Sequence, residues 1–271
     1  MKVFVIDEQK CNGCHNCQIA CKDEHCGNDW SPISLPQPLT GQFWVKVDEK
    51  TVGQTPKVRV DYHVTRCNHC ENAPCMAAGE NGAVYRREDG LVIIDPVAAK
   101  GQKAIVDACP YGVVFWNEEF EVAQKCTGCA HLLDAGEKPH CVDVCTTGAL
   151  RFGEYEEFAE ELEGENVEVM KPELGTKPHV YYLNRPKLFY AGDVYDPDLD
   201  ECLENAKVTL VRESDGAVFE QVTDIYGDFW FDGQVAGSHE LRIECKGYEA
   251  VVKKFDSDEC LNLGSFPMSK A

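Results

Sequence analysis

Cysteine is the residue type in this sequence whose spacing points most directly to chemistry. Sixteen cysteines occur among 271 residues, and many of them stand two to four residues apart. The first run, CNGCHNCQIAC, has the spacing C-x2-C-x2-C-x3-C, which is typical of bacterial ferredoxins. Such gaps let a tight loop hold three iron atoms of a [4Fe-4S] cubane while backbone N–H groups point at its sulfides. The run supplies four candidate ligands: Cys11, Cys14, Cys17 and Cys21.

The last run, CTGCAHLLDAGEKPHCVDVC, has the spacing C-x2-C-x11-C-x3-C. Taken alone, it also fits a zinc module. Beside the first run it is typical of the other half of a crossed ferredoxin pair, in which the fourth cysteine of each run binds the other cluster. This interpretation predicts two clusters, the first on Cys11, Cys14, Cys17 and Cys145, and the second on Cys126, Cys129, Cys141 and Cys21.

The segment between these runs has an incomplete motif. Residues 67–75, CNHCENAPC, hold three cysteines at C-x2-C-x4-C, and Gly79 occupies the position at which a fourth is expected. A single cysteine, Cys109, follows in the stretch ACPYG. Either the motif is broken, or the fourth ligand comes from elsewhere in the sequence, and the spacing alone leaves both alternatives open.

The order of these cysteine groups resembles that of the iron–sulfur subunits of molybdopterin oxidoreductases, the family typified by dimethyl sulfoxide reductase. Members with the complete pattern have four cysteine groups that bind four cubanes in two crossed pairs. The first and fourth groups together bind one pair of cubanes, and the second and third groups bind the other pair. One inner cubane would need a cysteine in place of Gly79 and three more that the third group lacks. The resemblance implies that this cubane is absent as a whole. It also implies that the other inner cubane, and so a third [4Fe-4S] cluster, is bound by Cys67, Cys70, Cys75 and Cys109.

The absence of that one cluster narrows the resemblance to the small subunits of pyrogallol–phloroglucinol transhydroxylases. The stretches NGAVYRREDGLVIIDP, ACPYGVVFWNEE and VMKPELGTKPHVYY carry it. In that family a large subunit holds a bis-pterin molybdenum cofactor and acts on a polyphenol. The resemblance implies an electron-transfer subunit without its own catalytic site, bound to a large molybdopterin subunit as a heterodimer or a multiple of it. Catechol dehydroxylases and resorcinol hydroxylases are related enzymes that such a subunit would also fit.

Charge and hydropathy argue against nucleic acid and lipid membranes as partners. The formal net charge of −21 disfavours binding to nucleic acid and to anionic lipid. No stretch approaches the ~20 apolar residues of a membrane helix, and the N-terminal MKVFVIDEQK does not resemble a signal peptide. We therefore expect a cytoplasmic protein without direct membrane insertion, which is exported only if the partner subunit carries a twin-arginine signal.

The predicted fold class is α+β, in two domains. Residues 1–190 are expected to form a ferredoxin-like domain with three clusters, an insertion at 27–66 and a closing segment at 151–190. Residues 191–271 contain short segments that alternate apolar and polar residues between turns, such as AKVTLVRE and HELRIECKG. This pattern predicts a small all-β sandwich, which resembles transthyretin-like and carboxypeptidase-regulatory-like domains.

Two segments of the first domain carry more specific expectations. The prolines of the insertion at 27–66 argue against regular structure there. Its aromatic residues Trp30, Phe43 and Trp44 either cover the clusters or face a partner. Residues 154–168 are predicted to form an acidic helix, since Phe158 and Leu162 lie four residues apart among glutamates.

Several further residues have chemical potential but no predicted ligand role. His15, His69 and His131 lie in or beside cysteine loops, and we expect them to hydrogen-bond nearby carbonyl groups. His239, in the C-terminal domain, has no cysteine or acid partner in the sequence pattern. The remaining cysteines are expected to be small buried apolar residues: Cys26, Cys202, Cys245 and Cys260.

Two rival interpretations remain beside the electron-transfer subunit. A freestanding polyferredoxin shuttle would use the same clusters, although the insertion and the appended sandwich are unnecessary for a diffusing carrier. A zinc-stabilised interaction module would use the same cysteines. Colour separates the zinc module from the other two, because zinc proteins are colourless and cubane proteins are brown.

The cluster interpretation predicts the metal content. We expect twelve iron atoms and twelve acid-labile sulfides per chain in protein prepared without air, because twelve cysteines form three sets of four. Iron and sulfide analysis of the purified protein tests this. About sixteen of each would indicate a fourth cluster on the remaining cysteines, and zinc in place of iron would contradict the interpretation.

Overall fold

A computed structural model describes residues 1–271 and shows a chain rich in short strands with few helices. Backbone contacts divide the chain into two compact units. The first unit comprises Met1–Glu49 and Tyr62–Arg185, and the second comprises Lys50–Asp61 and Pro186–Ala271. Residues 50–61 of the predicted insertion therefore contribute to the second unit, which resumes five residues before the predicted boundary at residue 191. No helix is long and apolar enough to cross a membrane.

The elements of the first unit are short, and its hairpin β2–β3 continues at its tip into the second unit. In chain order the elements are β1 (Lys2–Asp7), α1 (Asn16–His25), β2 (Val45–Gln54), β3 (Lys57–Arg66), α2 (Pro74–Ala78), β4 (Val84–Arg86), β5 (Val92–Ile94), α3 (Ala104–Asp107), β6 (Phe115–Asn117), β7 (Val122–Gln124), α4 (Ala130–Asp134), α5 (His140–Asp143), β8 (Leu150–Glu154), α6 (Tyr155–Leu162), β9 (Val167–Glu168) and β10 (Val180–Leu183).

A four-stranded sheet in the order β8–β1–β10–β9 supports this unit. Strand β1 has the sequence KVFVID, and its residues Val3 to Ile6 are at most 1% exposed. Strand β1 is antiparallel to β8 but parallel to β10. A parallel pair needs a long crossover connection. All the cysteine groups lie in sequence between β1 and β10, so this crossover carries them.

Each cysteine loop starts just after a strand and runs into a helix. The first loop lies between β1 and α1, the second between β3 and α2, and the loop of the last run between β7 and α4. Strands β4 and β5 form one antiparallel hairpin, and β6 and β7 form another. Each cysteine loop therefore begins at the end of a strand that is paired in the sheet or in a hairpin.

The structure corrects the prediction of irregular structure for 27–66, because residues 45–66 form the two ten-residue strands β2 and β3. The prolines do not oppose this arrangement, since Pro32, Pro36 and Pro38 precede β2 and Pro56 lies in the turn of the hairpin. In the insertion, Trp44 is 1% exposed and belongs to the same apolar core as Cys21 and Cys67, which favours the covering role for this residue.

The acidic helix predicted for residues 154–168 is shorter than expected. Helix α6 ends at Leu162, and Val167 and Glu168 form strand β9 beside β10. Gly164 follows the helix closely, and glycine is a poor helix former. Pairing with the sheet edge therefore replaces the last turns of the predicted helix.

The second unit consists of two four-stranded sheets around an apolar core. One sheet has the order β12–β11–β15, with β18 also paired to β11, and the other has the order β14–β13–β16–β17. Their strands are β11 (Leu188–Asp196), β12 (Glu201–Cys202), β13 (Lys207–Arg212), β14 (Val218–Val222), β15 (Asp228–Gln234), β16 (Gly237–Glu244), β17 (Val251–Ser257) and β18 (Leu261–Pro267).

Alternation explains why these segments form strands that are buried on one face. Val208 and Leu210 of β13 and Leu241 and Ile243 of β16 are fully buried, and the residues between them are more exposed. The five strands from β13 to β17 confirm the period-two prediction. Strands β11 and β18 were not predicted. Strand β11 is buried along most of its length and therefore lacks that alternation.

The four cysteines without a predicted ligand role have different environments. Cys260 is 6% exposed, as expected for a small apolar residue. The expectation is wrong for Cys202, which is exposed in the short strand β12, while Cys26 and Cys245 are partly buried. The edge position of β12 accounts for the exposure of Cys202.

The division into units predicts that the second unit contributes no metal ligand. We expect the combined substitutions Cys202→Ala, Cys245→Ala and Cys260→Ala to leave the iron content of the full-length chain unchanged, since the twelve candidate ligands lie in the first unit. Iron analysis of the folded variant tests this. Cys26→Ala serves as the matched variant in the first unit, and loss of four irons from the triple variant would overturn the ligand assignment.

Candidate metal centres

The first cysteine loop and the end of the last run enclose one pocket, which we call site A. Its volume is about 370 Å³, open solvent included, and apolar side chains such as Ile6 and Val47 form part of its wall. Helices α1 and α5 pack together, which brings the end of the last run to this loop. The cysteines that line site A are Cys11, Cys14, Cys17 and Cys145.

A second pocket, site B, lies between the middle loop and Cys109, two residues after α3, and its volume is about 340 Å³ with open solvent included. Helices α2 and α3 pack together and bring Cys109 to this loop. Gly79 does not line the pocket; it ends α2, where its N–H donates to the Cys75 carbonyl at 3.2 Å. The cysteines that line site B are Cys67, Cys70, Cys75 and Cys109.

A third group of cysteines, site C, is the most deeply buried of the three. Its members are 3–5% exposed, whereas Cys14 of site A is exposed. The pKa of the Cys21 thiol is raised well above its usual value, first by burial and then by the negative charges of the other three cysteines. The cysteines of site C are Cys21, Cys126, Cys129 and Cys141.

Two basic side chains contact the sulfurs of site C. The Arg66 guanidinium donates from Nη2 to Cys126 Sγ at 3.0 Å and from Nη1 to Cys141 Sγ at 3.7 Å. The His25 ring lies with Nε2 3.7 Å from Cys129 Sγ, and burial lowers the pKa of His25 to about 3. The histidine is therefore neutral, so the positive charge at this site belongs to Arg66.

Glycines give two of the loops their shape. Gly13 and Gly128, each directly before a cysteine, have φ of +68° and +65°, where side chains with Cβ are strained. A Cβ on Gly13 would lie 2.0 Å from Tyr62 Cε1, and one on Gly128 would lie 2.7 Å from Leu91 Cδ1. The Gly128 N–H donates to Cys126 Sγ at 3.3 Å, which is the backbone-to-sulfur contact expected of a cluster loop.

Site C adjoins both other sites. Cys17 of site A and Cys21 of site C lie four residues apart on α1, and therefore on one face of that helix. Burial raises the pKa of Cys17 to about 12, and the charge of Cys141 adds to this effect. Burial also raises the pKa of Cys67 in site B to about 12, and Cys126 is among the charges that contribute. The sites thus follow the order A, C, B.

The donors and their surroundings fit [4Fe-4S] clusters. Each site has four cysteines, which is the usual ligand set of a cubane. Buried thiols with a raised pKa stay protonated unless a cation compensates the thiolate, and cluster iron supplies such compensation. The buried Arg66 Nε–H, which has no acceptor, adds to the donor-rich environment. No group of three or more His, Cys, Asp and Glu side chains is arranged to hold a single metal ion.

The histidines of the loops do not bond carbonyl groups, so that prediction is wrong. His15 and His131 contact the carboxylates of Glu49 and Glu24 at 2.8 Å and 2.9 Å. The His69 Nδ1 atom accepts the Val92 N–H at 3.1 Å, because burial lowers the pKa of this histidine and keeps its ring neutral. The ring of His131 also stacks on Trp30, with centroids 4.1 Å apart.

Sequence reasoning missed two buried cations beside these sites. Arg66 is 0% and Lys125 is 3% exposed, and each directly precedes the first cysteine of a loop. That shared position was a readable signal, since a charged residue next to a buried ligand needs a partner of opposite charge. His239, by contrast, contacts the Gly237 carbonyl at 2.9 Å and stacks on Phe255, with no acid or cysteine partner among these contacts.

Two protein-family models match the chain. The model described as a 4Fe-4S dicluster domain matches residues 58–155, which include three of the four cysteine groups. The protein therefore contains a [4Fe-4S]-binding domain. The model described as a carboxypeptidase regulatory-like domain matches residues 191–259, within the second unit.

Individual proteins align with longer parts of the chain than either of the two family models does. The chain is 42% identical over 271 residues to the pyrogallol hydroxytransferase small subunit of Pelobacter acidigallici, covering 96% of this chain and 97% of that one. It is 34% identical to a subunit of the tetrathionate reductase of Salmonella typhimurium, over 69% of this chain and 73% of the relative. It is also 34% identical to a subunit of the anaerobic dimethyl sulfoxide reductase of Escherichia coli, over 57% and 74%.

The position of Cys109 in site B generates a direct test. We expect Cys109→Ser to lose up to one cubane, or to retain it in a degraded three-iron form, because serine replaces one of the four thiols that line the pocket. Iron analysis and EPR spectroscopy of the reduced protein measure this, and the signals of the other two clusters should not change.

Gly79 provides the matched control. Gly79→Cys should add no iron, because Gly79 does not line the pocket of site B. Gly79→Ala reports the steric cost alone, since an added Cβ would lie 2.9 Å from Val84 Cγ2. Full iron content with unchanged spectra in Cys109→Ser would mean that the fourth ligand lies elsewhere, with Cys26 the first alternative.

Proposed function

This protein belongs to the family of iron–sulfur electron-transfer subunits of molybdenum oxidoreductases, and we propose that three [4Fe-4S] clusters on its twelve cysteines relay electrons to or from a molybdenum cofactor in a large partner subunit. Each cluster, when bound, supplies one-electron redox chemistry. The protein's own contribution is to hold the clusters, exclude water and tune their potentials. The chain itself has no catalytic role in this proposal.

One observation carries the proposal, namely the grouping of cysteines from distant parts of the sequence. Cys145 lies with the first loop at site A, Cys109 with the middle loop at site B, and Cys21 with the last run at site C. A role as small apolar residues would not explain why these cysteines lie together in groups of four. The grouping agrees with the crossed ligation expected of paired cubanes.

The order of the sites supports a relay. Site C adjoins sites A and B, so an electron that passes between the outer two sites would cross it. Helix α1 fixes the spacing between sites A and C because it carries Cys17 and Cys21. Site A is the more open end, with Cys14 exposed, whereas Cys67, Cys70 and Cys75 of site B are buried. A relay with one open end and a buried centre suits transfer to a bound partner.

We further propose that the partner acts on a polyphenol. The relative named for pyrogallol hydroxytransfer aligns with both units of this chain, whereas the alignment with the dimethyl sulfoxide reductase relative covers 57% of it. Transhydroxylation is redox-neutral overall, so the relay would then set the oxidation state of molybdenum. With a dehydroxylase or hydroxylase partner, the relay would carry the electrons of the net reduction or oxidation.

The proposed domain roles follow the two units. Sheet β8–β1–β10–β9 and the loops in its crossover support a ferredoxin-like fold for the first unit. The second unit is proposed to stabilise or dock the complex, because it contains none of the candidate ligands. The cytoplasmic location expected from the N-terminal sequence stays a prediction.

The rival interpretations are less well supported. A zinc module would not account for the match of residues 58–155 with the model described as a 4Fe-4S dicluster domain. A freestanding shuttle would not account for the alignment over 96% of the chain with a protein named as a small subunit.

Purification from the native organism under anaerobic conditions tests the proposal. We expect the protein to elute together with a larger subunit that contains molybdenum, and its brown clusters to change oxidation state when pyrogallol or catechol is added. Size-exclusion chromatography with metal analysis, followed by stopped-flow absorbance, measures both. Elution of an iron-loaded chain alone would favour the shuttle, and a colourless zinc-loaded chain would contradict the electron-transfer role.

A further inference from the structure

Arg66 is a fully buried cation whose hydrogen-bond partners are sulfur atoms. It is the last residue of β3 and is 0% exposed. Its two terminal nitrogens donate to Cys126 and Cys141 of site C, at 3.0 Å and 3.7 Å. Its Cζ lies 3.2 Å from the centroid of the Phe4 ring, so the aromatic face fixes the plane of the guanidinium.

Such a residue needs negative charge around it. Moving a cation out of water is costly unless an anion compensates it. The groups within hydrogen-bond reach of its terminal nitrogens are the sulfurs of Cys126 and Cys141, and arginine stays protonated in proteins. The compensating anions are therefore the candidate ligands of site C, and the guanidinium keeps its charge beside them.

We propose that Arg66 sets the reduction potential of the cluster in site C by donating hydrogen bonds and positive charge to two of its cysteine ligands. This inference rests on the proposed function. Reduction makes a four-thiolate cluster more negative, so a fixed cation and N–H···S contacts stabilise the reduced form and raise the potential. Burial of the site opposes the added charge, but low dielectric also strengthens the attraction to Arg66.

The other two sites lack an equivalent contact. At site A, Cys145 accepts the Leu150 N–H at 3.3 Å and lies 3.8 Å from the Thr147 hydroxyl, and both groups are neutral. Near site B, the Lys125 ammonium donates to the main-chain carbonyls of Val92 and Cys126. Lys125 therefore places charge in the same region without a hydrogen bond to sulfur.

This difference has a consequence for the relay. Since site C adjoins both other sites, its potential determines how readily an electron passes from one end to the other. A cluster there that is difficult to reduce would be a barrier between sites A and B. Arg66 lowers this barrier, because it stabilises the electron at the central position. Its place directly before Cys67 also anchors it to the loop of site B.

The test is an EPR-monitored redox titration of the full-length protein with its clusters, prepared without air. The variants are Arg66→Gln, which removes the charge, and Arg66→Lys, which keeps it with fewer donors. Lys125→Gln is the matched control, because it removes a buried cation that contacts no sulfur. Cys21→Ser identifies the signal of site C, since Cys21 belongs to that site alone.

We expect Arg66→Gln to lower the equilibrium constant for reduction of site C at least tenfold, which is about 59 mV for a one-electron couple. The signals of sites A and B should shift much less. Arg66→Lys should recover part of the lost potential, and Lys125→Gln should move site C less than Arg66→Gln does.

Two outcomes would overturn the inference. The first is an Arg66→Gln protein that has full iron content and an unchanged site C potential, or a site C shift in Lys125→Gln as large as the shift in Arg66→Gln. The second is loss of the cluster in both Arg66 variants with the remaining potentials unaltered, which would make Arg66 a structural residue. Failure of the proposed function is distinct, because the unmodified protein would then elute without a molybdenum subunit or with zinc in place of iron, whatever the Arg66 variants do to the site C potential.

Discussion

The structure of the first unit depends on one electrostatic constraint, the collection of thiolates in places that exclude water. Four like charges repel one another, and burial strengthens that repulsion. The fold meets this constraint with short loops that start at the ends of strands and with N–H donors that point at sulfur. At Gly13 and Gly128 the neighbouring side chains leave no room for a Cβ, so these loop positions require glycine. Arg66 adds the one charged donor in contact with a cysteine sulfur, at the most buried site. Cluster iron would complete the balance.

Sequence spacing anticipated the local part of this arrangement, because C-x2-C loops are set by neighbouring residues. The cysteines that lie far apart in sequence, such as Cys109 and Cys145, were grouped by crossed ferredoxin pairing and by resemblance to a family. Arg66 and Lys125 were not foreseen, since their partners depend on how loops from different parts of the sequence meet. The sequence did not predict the hairpin β2–β3, because prolines disfavour nearby strands, yet here the prolines lie outside both strands.

The second unit was easier to predict because half-buried strands alternate visibly in sequence. Strand β11 was not predicted, since it is buried along most of its length and lacks this alternation. The family match over residues 191–259 agrees with two packed sheets. The relative that aligns over 96% of this chain includes this region, so the two units occur together outside this protein. Under the proposed function, this combination would place redox chemistry in the first unit and stabilisation or docking in the second.

The most direct test of the central claim is the location of iron in crystals grown without air, by anomalous diffraction at the iron absorption edge. The account predicts three [4Fe-4S] clusters in the first unit, with the middle one bound by Cys21, Cys126, Cys129 and Cys141 and contacted by Arg66. A cluster in the second unit, a different order of the sites, or Cys21 bound to the same cluster as Cys17 would contradict it.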